Sequence, residues 1–343
     1  MKKYLLLATG IVLGLAIVLI LIVENRQPGL ISPLVPAALK PKPLEKYSFE
    51  NLRKREYPGG EIKLEKVIKE EPSYTSWLFS FQSDGKRVTG MANLPATRSP
   101  KGEVWPVIIM LRGYADEEIY FTGLGTRKAA DFFAENGFLT LAPDFLGFGE
   151  SDWASEDILE ARFCRPVEVL NLLASIKTLP QADSEKVAIW AHSNGGQIAL
   201  SVLEIIQKPI PTVLWAPVTQ GFPQSVLQYM GDPPAGEAGL DDQGKKVKAA
   251  IEEFLRLYDP ELFSIDNYFA DIQSPLQVHQ GTADEYIQSE WTDGFVQTLK
   301  DLGKEVNYYK YSRNDHNLSR DWDTVVSRDP QFFKNWSLRP AGK

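Results

Sequence analysis

The feature that most constrains the fold is a repeating order of short apolar runs and longer amphipathic segments. Six apolar runs of strand length follow one another: VWPVIIML (104–111), FLTLAP (138–143), VAIWAH (187–192), TVLWAPV (212–218), PLQVHQG (275–281) and VNYYKY (306–311). Helical patterns occur between or after them, over 126–137, 157–178, 195–207, 288–302 and 318–336. Near-continuous apolar strands that alternate with helices indicate a parallel sheet covered by helices on both faces. The sequence therefore predicts an α/β fold with a mostly parallel central sheet.

Two other segments complete the predicted domain, which spans residues 61–343. Three alternating runs, EIKLEKVI, SWLFSF and RVTGMANLP, precede the parallel strands. Asp84–Gly85 between the second and third run is typical of a hairpin turn, so we expect antiparallel strands at one edge of the sheet. A Gly/Pro-rich stretch with one helix over 245–258 interrupts the alternation of strands and helices at about 219–274. We interpret this stretch as an inserted cap over one sheet edge.

The N-terminus carries an uncharged apolar run over residues 4–23. Twenty helical residues span roughly 30 Å, the thickness of the hydrocarbon core of a bilayer. Lys2 and Lys3 precede the run and favour a cytoplasmic N-terminus. We therefore predict a single-pass signal anchor over residues 1–23 that holds an extracytoplasmic catalytic domain at the cell membrane. A cleaved signal peptide and a buried core helix are the alternatives.

A proline-rich spacer is predicted between the anchor and the domain, over residues 24–60. Its first part lacks hydrophobic periodicity and contains five prolines, Pro28, Pro33, Pro36, Pro41 and Pro43. Proline-rich linkers are semi-extended. Residues 46–58 are compatible with a short amphipathic helix.

Charge and residue counts exclude several functions. The net charge of −8 leaves no basic excess to neutralise phosphates, so nucleic acid is not an expected partner. One cysteine, Cys164, forms neither an intramolecular disulfide nor a multi-cysteine zinc site. The three histidines, at positions 192, 279 and 316, lack the H-x-x-x-H spacing of catalytic zinc sites. We expect neither a metal nor a cofactor, and the sequence does not indicate an oligomeric state.

The segment VAIWAHSNGGQIA (187–199) predicts a nucleophilic serine. It runs from a strand through a turn into a helix, with Ser193 between the small residues Ala191 and Gly195. Small residues at these positions allow a strained turn that lifts the hydroxyl above the sheet at a helix N-terminus. The backbone amide of Asn194 would face the same space, where it could stabilise an oxyanion. The alternative is a serine that only caps the helix.

A serine nucleophile needs a positioned base, and histidine suits that role near neutral pH. His316 follows the strand VNYYKY and so lies at the carboxyl edge of the sheet, where the sites of open α/β folds assemble. His279 lies inside a strand, where we expect it to pack or to form hydrogen bonds. The side chain of His192, next to Ser193 on the turn, is expected to point elsewhere.

The orienting carboxylate is predicted to be Asp284, which also follows a strand, with its neighbour Glu285 as the fallback. Asp144 follows a strand too but precedes the serine, and Asp315 is assigned to local turn chemistry. The order Ser193, Asp284, His316 is the chain order of α/β-hydrolase triads.

A second oxyanion donor is expected in the loop after strand 104–111, which reads LRGYAD. Gly113 permits a sharp turn, and the backbone amide of Tyr114 is the candidate donor.

These motifs resemble the α/β-hydrolase superfamily, and more narrowly the catalytic domain of the prolyl oligopeptidase family. The segments that carry the resemblance are FQSDGKRVTGMANLP, LRGYAD, PDFLGFGESDW, WAHSNGGQIAL, HQGTADEY and DHNLS, within residues 75–336. Dienelactone-hydrolase-like esterases share the same skeleton. The resemblance implies Ser193 as nucleophile, Asp284 as acid and His316 as base, with oxyanion donors at Asn194 and Tyr114. Arg112 stands where many relatives have histidine.

The resemblance implies acyl transfer to water through an acyl-enzyme on a small acyl substrate. We expect a membrane-anchored peptidase of short peptides or related amides, and an esterase or an acyltransferase is the alternative. Fewer than 50 residues separate the predicted anchor from the first strands, too few for the β-propeller of larger relatives, which weakens the peptidase interpretation. A non-catalytic surface binding module is the alternative from another class. Aromatic residues of the cap either line an acyl pocket or form the cap's own core: Phe222, Tyr229, Phe254, Tyr258, Phe263, Tyr268 and Phe269.

Overall fold

A computed structural model describes residues 41–96, 104–228 and 242–337 of the chain. Within these residues the backbone forms a nine-stranded sheet with the strand order β1-β2-β3-β5-β4-β6-β7-β8-β9. The strands are β1 (Lys63–Glu70), β2 (Tyr74–Ser83), β3 (Lys86–Pro95), β4 (Trp105–Leu111), β5 (Leu139–Pro143), β6 (Ala182–His192), β7 (Thr212–Trp215), β8 (Leu276–Gly281) and β9 (Val306–Tyr311).

The strand directions match the predicted fold class. Strands β5, β4, β6, β7, β8 and β9 are parallel neighbours. Strands β1, β2 and β3 pair antiparallel and join the parallel strands through β5. Asp84 and Gly85 both have positive φ, 52° and 77°, as a two-residue hairpin of the I′ type requires. The expected antiparallel edge and its turn are confirmed.

The helices follow the predicted alternation but are shorter in two places. They are α1 (Phe49–Lys54), α2 (Arg127–Glu135), α3 (Ile158–Phe163), α4 (Arg165–Ser175), α5 (Asn194–Ile206), α6 (Gln224–Leu227), α7 (Asp242–Leu257), α8 (Ser289–Asp301), α9 (Trp322–Val326) and α10 (Arg328–Ser337). The helix predicted over 157–178 is divided between α3 and α4, and the terminal helix between α9 and α10. Pro166 and Pro330 lie in the first turns of α4 and α10. Proline is accommodated there because the N–H groups of the first turn have no acceptor within the helix, so the absence of one N–H breaks no helical hydrogen bond.

Both faces of the sheet are buried, as expected for a parallel sheet. On β4, Val107, Ile109 and Leu111 point into one core, and Ile108 and Met110 point into a second. The first core is closed by α1, α3, α4, α5, α8 and the cap, and the second by α2, α9 and α10. Alternation along β4 therefore divides the apolar side chains between two layers of helices.

The domain begins earlier than the predicted boundary at residue 61. Residues Pro43–Tyr47 form a 3-10 helix, and Ser48 caps helix α1 by accepting a hydrogen bond from the Asn51 amide. Four apolar side chains of this segment are buried in the first core: Leu44, Tyr47, Phe49 and Leu52. Their amphipathic spacing was partly hidden by the nearby prolines. The C-terminal part of the predicted spacer is thus part of the folded domain.

The predicted anchor at residues 4–23 and the spacer up to residue 40 lie outside the described residues. Among the helices that the described residues form, none has the length and apolar character needed to span a bilayer.

The cap consists of one longer helix, α7, and several short helices, and it packs on the first core. Besides α6 and α7 it contains 3-10 helices over Pro260–Phe263, Ile265–Asn267 and Phe269–Asp271, and residues 229–241 are outside the described residues. Five of its aromatic side chains are buried in the core: Phe222, Phe254, Tyr258, Phe263 and Phe269. The aromatic residues therefore form the core of the cap, and Phe222 and Phe263 also line a cavity described below.

One carboxyl group inside the first core lacks a hydrogen-bond partner. Glu204 on α5 is fully buried, and neither of its carboxyl oxygens is bonded to a described residue. Burial raises the pKa of Glu204 well above its ordinary value, against the charge of Arg53. The folded protein keeps this proton at a pH where the unfolded chain releases it, so stability falls as the pH rises above about 4.5.

We expect Glu204→Gln to reduce this pH dependence. Each proton bound only by the folded state contributes a slope of about 1.4 kcal/mol per pH unit to the free energy of unfolding. Urea unfolding between pH 5 and pH 8 measures the slope, which the substitution should make shallower by about that amount. Some slope should remain, because burial raises the pKa of Glu168 to about 7. Glu290→Gln, on an exposed side chain, is the control, and equal slopes for Glu204→Gln and wild type would contradict the expectation.

Candidate active site

Ser193 lies on the turn between β6 and α5 in a strained backbone conformation. Its φ of 55° and ψ of −122° fall where residues with a side chain are rarely found. A side chain at Gly195 would collide with the backbone oxygen of Leu111 and would lie 2.7 Å from that of Arg112. Ala191 is fully buried. Close approach of the backbone therefore requires glycine at position 195, as the sequence predicted, and Ala191 has no space around it that is open to solvent.

His316 and Asp284 are brought together from the ends of β9 and β8. Nδ1 of His316 lies 3.0 Å from both carboxylate oxygens of Asp284. The carboxylate also accepts hydrogen bonds from the Ile287 amide (2.8 Å), the Tyr286 amide (2.9 Å) and Gln280 Nε2 (2.9 Å). Burial favours the neutral form of Asp284, but the hydrogen bond and charge of His316 and the two amides lower its pKa below the ordinary value. The carboxylate is thus ionised and held in one orientation.

The backbone of His316 is held by two further side chains. Its amide donates to Glu285 Oε2 at 3.3 Å, and its carbonyl oxygen lies 3.1 Å from Nε2 of His192. Burial and the nearby His316 lower the pKa of His192 to about 4, so at neutral pH His192 is uncharged and its Nε2–H donates to this carbonyl. The side chain of His192, which was expected to point elsewhere than Ser193, contacts the loop that carries His316. The two imidazole ring centroids are 4.7 Å apart.

The structure joins the predicted acid, Asp284, to the predicted base, His316, but does not join that base to the predicted nucleophile, Ser193. Ser193 lies next in sequence to His192, whose ring is in contact with His316. Within the described residues, no hydrogen bond links Ser193 Oγ to His316. Catalytic hydrogen bonds are often long or poorly aligned in free enzymes and tighten when substrate binds. The observed arrangement is an oriented Asp284–His316 pair beside a strained serine.

The loop after β4 approaches the serine closely. A Cβ atom at Gly113 would lie 3.0 Å from Ser193 Cβ and 3.4 Å from Ser193 Oγ. Within the described residues, the amides of Asn194 and Tyr114 have no hydrogen-bond partner, so both are available as donors. The Tyr114 side chain is 77% exposed, with its hydroxyl bonded to Asp116. Any contribution of Tyr114 to this space therefore comes from its backbone.

Arg112 fixes the base of this loop. Its guanidinium is buried and donates to the carbonyl oxygens of Gly113 (2.9 Å) and Asp144 (3.0 Å). It lies 4.1 Å from the ring centroid of Phe148 and 4.7 Å from that of Tyr120. A cation held in this way stiffens the backbone that leads to Tyr114.

The remaining sequence candidates have structural roles. His279 is buried and bonds to Tyr311 (2.8 Å) and Asp329 (3.0 Å), so the expectation that it packs and bonds inside its strand is confirmed. Asp144 accepts hydrogen bonds from Thr89, Tyr120 and Thr122 and is occupied within the fold. Asp315 accepts a hydrogen bond from the Ser319 amide, which is the local turn chemistry that was predicted.

Three residues at the site carry roles that sequence reasoning missed: His192, Arg112 and Gln280. Gln280 lies near the end of its strand, four residues before the predicted acid Asp284, and this position was the available signal. The charge of Arg112 in a buried loop was a second signal. Nothing in the sequence predicted that His192 would contact the backbone of His316, because that contact joins residues 124 positions apart.

A cavity opens beside Asn194. It is enclosed by side chains of the N-terminal segment, of α3 to α5 and of the cap, including Tyr47, Phe163, Arg165, Phe222 and Phe263. The cavity holds about 50 Å³ of free space. It is therefore narrow, and its lining is mainly apolar.

Among the described residues, the acidic, histidine and cysteine side chains form no group of three arranged to hold a metal ion.

Comparison with known proteins places this fold and site in a family. The sequence pattern of the prolyl oligopeptidase family matches residues 125–338, which is more than half of the chain and includes Ser193, Asp284 and His316. The chain belongs to the prolyl oligopeptidase family. The expectation of a serine hydrolase is thus confirmed at the level of the family. A search of curated protein sequences finds no match.

Solved structures similar to this family member include both peptidases and esterases. A putative dipeptidyl aminopeptidase IV from Bacteroides ovatus has a TM-score of 0.59 and 16% identity over 77% of this chain, which spans only 36% of that protein. An acetyl xylan esterase from Paenibacillus sp. R4 has a TM-score of 0.60 and 14% identity, over 91% of this chain and 98% of that one. A puromycin-hydrolyzing peptidase from Mycobacterium tuberculosis has a TM-score of 0.55 and 16% identity, over 80% and 41%. These likenesses establish the α/β-hydrolase fold and leave the substrate open.

Proposed function

We propose that the chain is a membrane-anchored serine hydrolase in which Ser193 is the nucleophile, His316 the base and Asp284 the orienting acid. The observation that carries this proposal is the Asp284–His316 pair, joined at 3.0 Å, beside a serine whose backbone is strained at the end of a strand. Strain at such a turn persists only when the surrounding fold enforces it, and it is typical of functional sites.

Acylation begins when Nε2 of His316 accepts the proton of the Ser193 hydroxyl. Oγ forms a bond to the carbonyl carbon of the substrate, and the amides of Asn194 and Tyr114 stabilise the oxyanion. Asp284 holds the histidine tautomer and stabilises the imidazolium. The bond to the leaving group then breaks, and His316 returns the proton to that group.

Deacylation repeats these steps with water. His316 takes a proton from the attacking water, which forms a bond to the acyl carbon. The bond to Ser193 Oγ then breaks, the acid leaves and the proton returns to the serine. No metal or cofactor takes part in these reaction steps.

A fluorophosphonate probe tests the proposal, because it phosphonylates activated serines. We expect folded wild-type protein to be labelled, and both Ser193→Ala and heat-denatured wild type to remain unlabelled. Absence of labelling on folded wild-type protein would instead support a non-catalytic binding module.

We propose that the bonds cleaved are amides of short peptides, as in the peptidases of the family. A carboxylic-ester hydrolase or an acyltransferase of the same fold is the second candidate. The narrow cavity of about 50 Å³ favours this second candidate, because it accommodates a short acyl group more readily than a peptide. Acetyl and butyryl p-nitrophenyl esters, assayed beside aminoacyl and peptidyl p-nitroanilides, separate the two. Turnover of esters without turnover of amides would exclude the peptidase.

The anchor and its orientation form a separate part of the proposal. Residues 4–23 are proposed to insert in the lipid bilayer with the N-terminus in the cytoplasm, as the positions of Lys2 and Lys3 favour. Protease added to intact cells is then expected to digest the catalytic domain. Protection of the domain in intact cells, with digestion only after lysis, would indicate the opposite orientation.

A further inference from the structure

Arg165 is a partly buried cation with no ionic partner. It is the first residue of α4 and lines the cavity beside Asn194. Within residues 41–96, 104–228 and 242–337, no side chain or carbonyl accepts a hydrogen bond from its guanidinium. Its nearest aromatic contact is Phe145, with 5.9 Å between the guanidinium carbon and the ring centroid. A guanidinium presents five donors in a planar fork, and these donors remain available to a ligand.

The walls of the cavity do not supply the missing anion. Its lining contains aromatic, aliphatic and neutral polar side chains together with Arg162 and Arg165, and no carboxylate among the described residues. Arg162 differs from Arg165 because it already donates to Gln197 and Ser225. Glu168 lies one turn along the helix, but its carboxyl oxygens face the Leu146 amide and Cys164. Burial raises the pKa of Glu168 to about 7, so it is an incomplete counter-charge at neutral pH.

Arg165 shares its cavity with Asn194, one of the two predicted oxyanion donors. A hydrogen bond to Asp116 and burial raise the pKa of Tyr114, and the charge of Arg165 opposes that rise. Arg165 is thus a charged side chain in the wall of a cavity that reaches Asn194, the residue next to Ser193.

We propose that Arg165 binds a carboxylate of the substrate, so that the hydrolase prefers acyl compounds with a carboxylate a few bonds from the reacting carbonyl. This inference rests on the proposed function and specifies its substrate class. The carboxylate belongs either to the acyl group, as in a half-ester of a short dicarboxylic acid, or to the leaving group, as in a peptide with a free C-terminus. The small cavity favours short groups in both cases.

Matched substrates measure the preference. On the acyl side, p-nitrophenyl hemisuccinate is compared with p-nitrophenyl butyrate, which has the same chain length without the charge. On the leaving-group side, an N-acetyl dipeptide with a free C-terminus is compared with its C-terminal amide. Hydrogen bonds to charged groups contribute about 10- to 100-fold in affinity, so we expect kcat/KM to be higher by that factor for the anionic member of one pair.

Substitution of Arg165 links the preference to this side chain. We expect Arg165→Gln to reduce the anionic-to-neutral ratio of kcat/KM to about one, and Arg165→Lys to retain part of it, because lysine keeps the charge without the fork. Arg256→Gln removes the same charge from the exposed face of α7 and should leave the ratio at its wild-type value. Thermal unfolding of each variant establishes that it is folded.

The outcomes separate this inference from the proposed function. A wild-type ratio near one in both pairs, with hydrolysis of the neutral members intact, would overturn the role of Arg165 and leave the hydrolase proposal standing. A wild-type preference that Arg165→Gln does not change would overturn it as well. Failure to hydrolyse any of the four compounds, together with absence of fluorophosphonate labelling, would defeat the proposed function and this inference with it.

Discussion

Removal of the Ser193 hydroxyl or of the His316 imidazole is expected to lower kcat by about 10⁶-fold, and removal of both is expected to lower it no further. The reason is that the nucleophile and the base act as one unit. A hydroxyl without a base is a weak nucleophile, and a base without the hydroxyl has no proton to accept. We expect the single variants Ser193→Ala and His316→Ala and the double variant to share one residual rate, set by binding and by the Asn194 and Tyr114 amides.

The measurement is single-turnover hydrolysis of an activated ester by each variant at saturating substrate. Ser327→Ala removes an exposed hydroxyl between α9 and α10 and should retain the wild-type rate. Losses that multiply in the double variant would show that Ser193 and His316 act independently. That result would contradict the proposed triad.

Replacement of Asp284 with asparagine is expected to lower kcat by about 10⁴-fold with little change in the fold. The carboxylate accepts from His316 Nδ1, which leaves Nε2 unprotonated and able to act as a base. An asparagine amide in its place favours the opposite tautomer and removes the charge that stabilises the imidazolium.

Glu285 provides a matched control, because it was the fallback acid and lies beside Asp284. Among the residues that the structure describes, the His316 amide is its one hydrogen-bond donor, at 3.3 Å. We expect Glu285→Gln to change kcat by less than about tenfold, since it retains an acceptor for that amide. A larger loss for Glu285→Gln than for Asp284→Asn, with both variants folded according to circular dichroism, would transfer the role of the acid to Glu285.

The sequence was sufficient to predict the elements that depend on local pattern. Continuous apolar runs mark the parallel strands because both faces of the sheet are covered. Ser193 was found because strained turns exclude bulky neighbours, and Asp284 and His316 because strand ends converge at one edge of an α/β sheet. The 3.0 Å contact between these two side chains confirms that placement.

The sequence was insufficient where packing between distant parts of the chain determines which residues are buried and which are in contact. Burial of Tyr47 and Phe49 depends on helices that follow more than 100 residues later, so the prolines around them misleadingly suggested a linker. The hydrogen bond from His192 to the His316 carbonyl likewise requires the folded chain. Within the part of the chain that the structure describes, Arg165 lacks a hydrogen-bonded acidic partner because the nearby acidic side chains bond to other groups. No sequence pattern shows which groups these are.

Family membership does not decide the bond that is cleaved, because peptidases and esterases share this fold and chemistry. The difference must come from the walls of the site. The cavity beside Asn194 has walls that include Tyr47 from the N-terminal segment and Phe222 and Phe263 from the cap. We therefore expect the substrate to be determined by the N-terminal segment and the cap.

The most direct test is a crystal structure of the protein after reaction with a phosphonate ester. We expect phosphorus bonded to Ser193 Oγ, with the phosphonyl oxygen about 2.7–3.1 Å from the amides of Asn194 and Tyr114. We also expect His316 Nε2 within about 3.2 Å of Ser193 Oγ or of the remaining phosphonate oxygen. Phosphorus on another residue, or His316 turned away from an adduct on Ser193, would contradict this expectation.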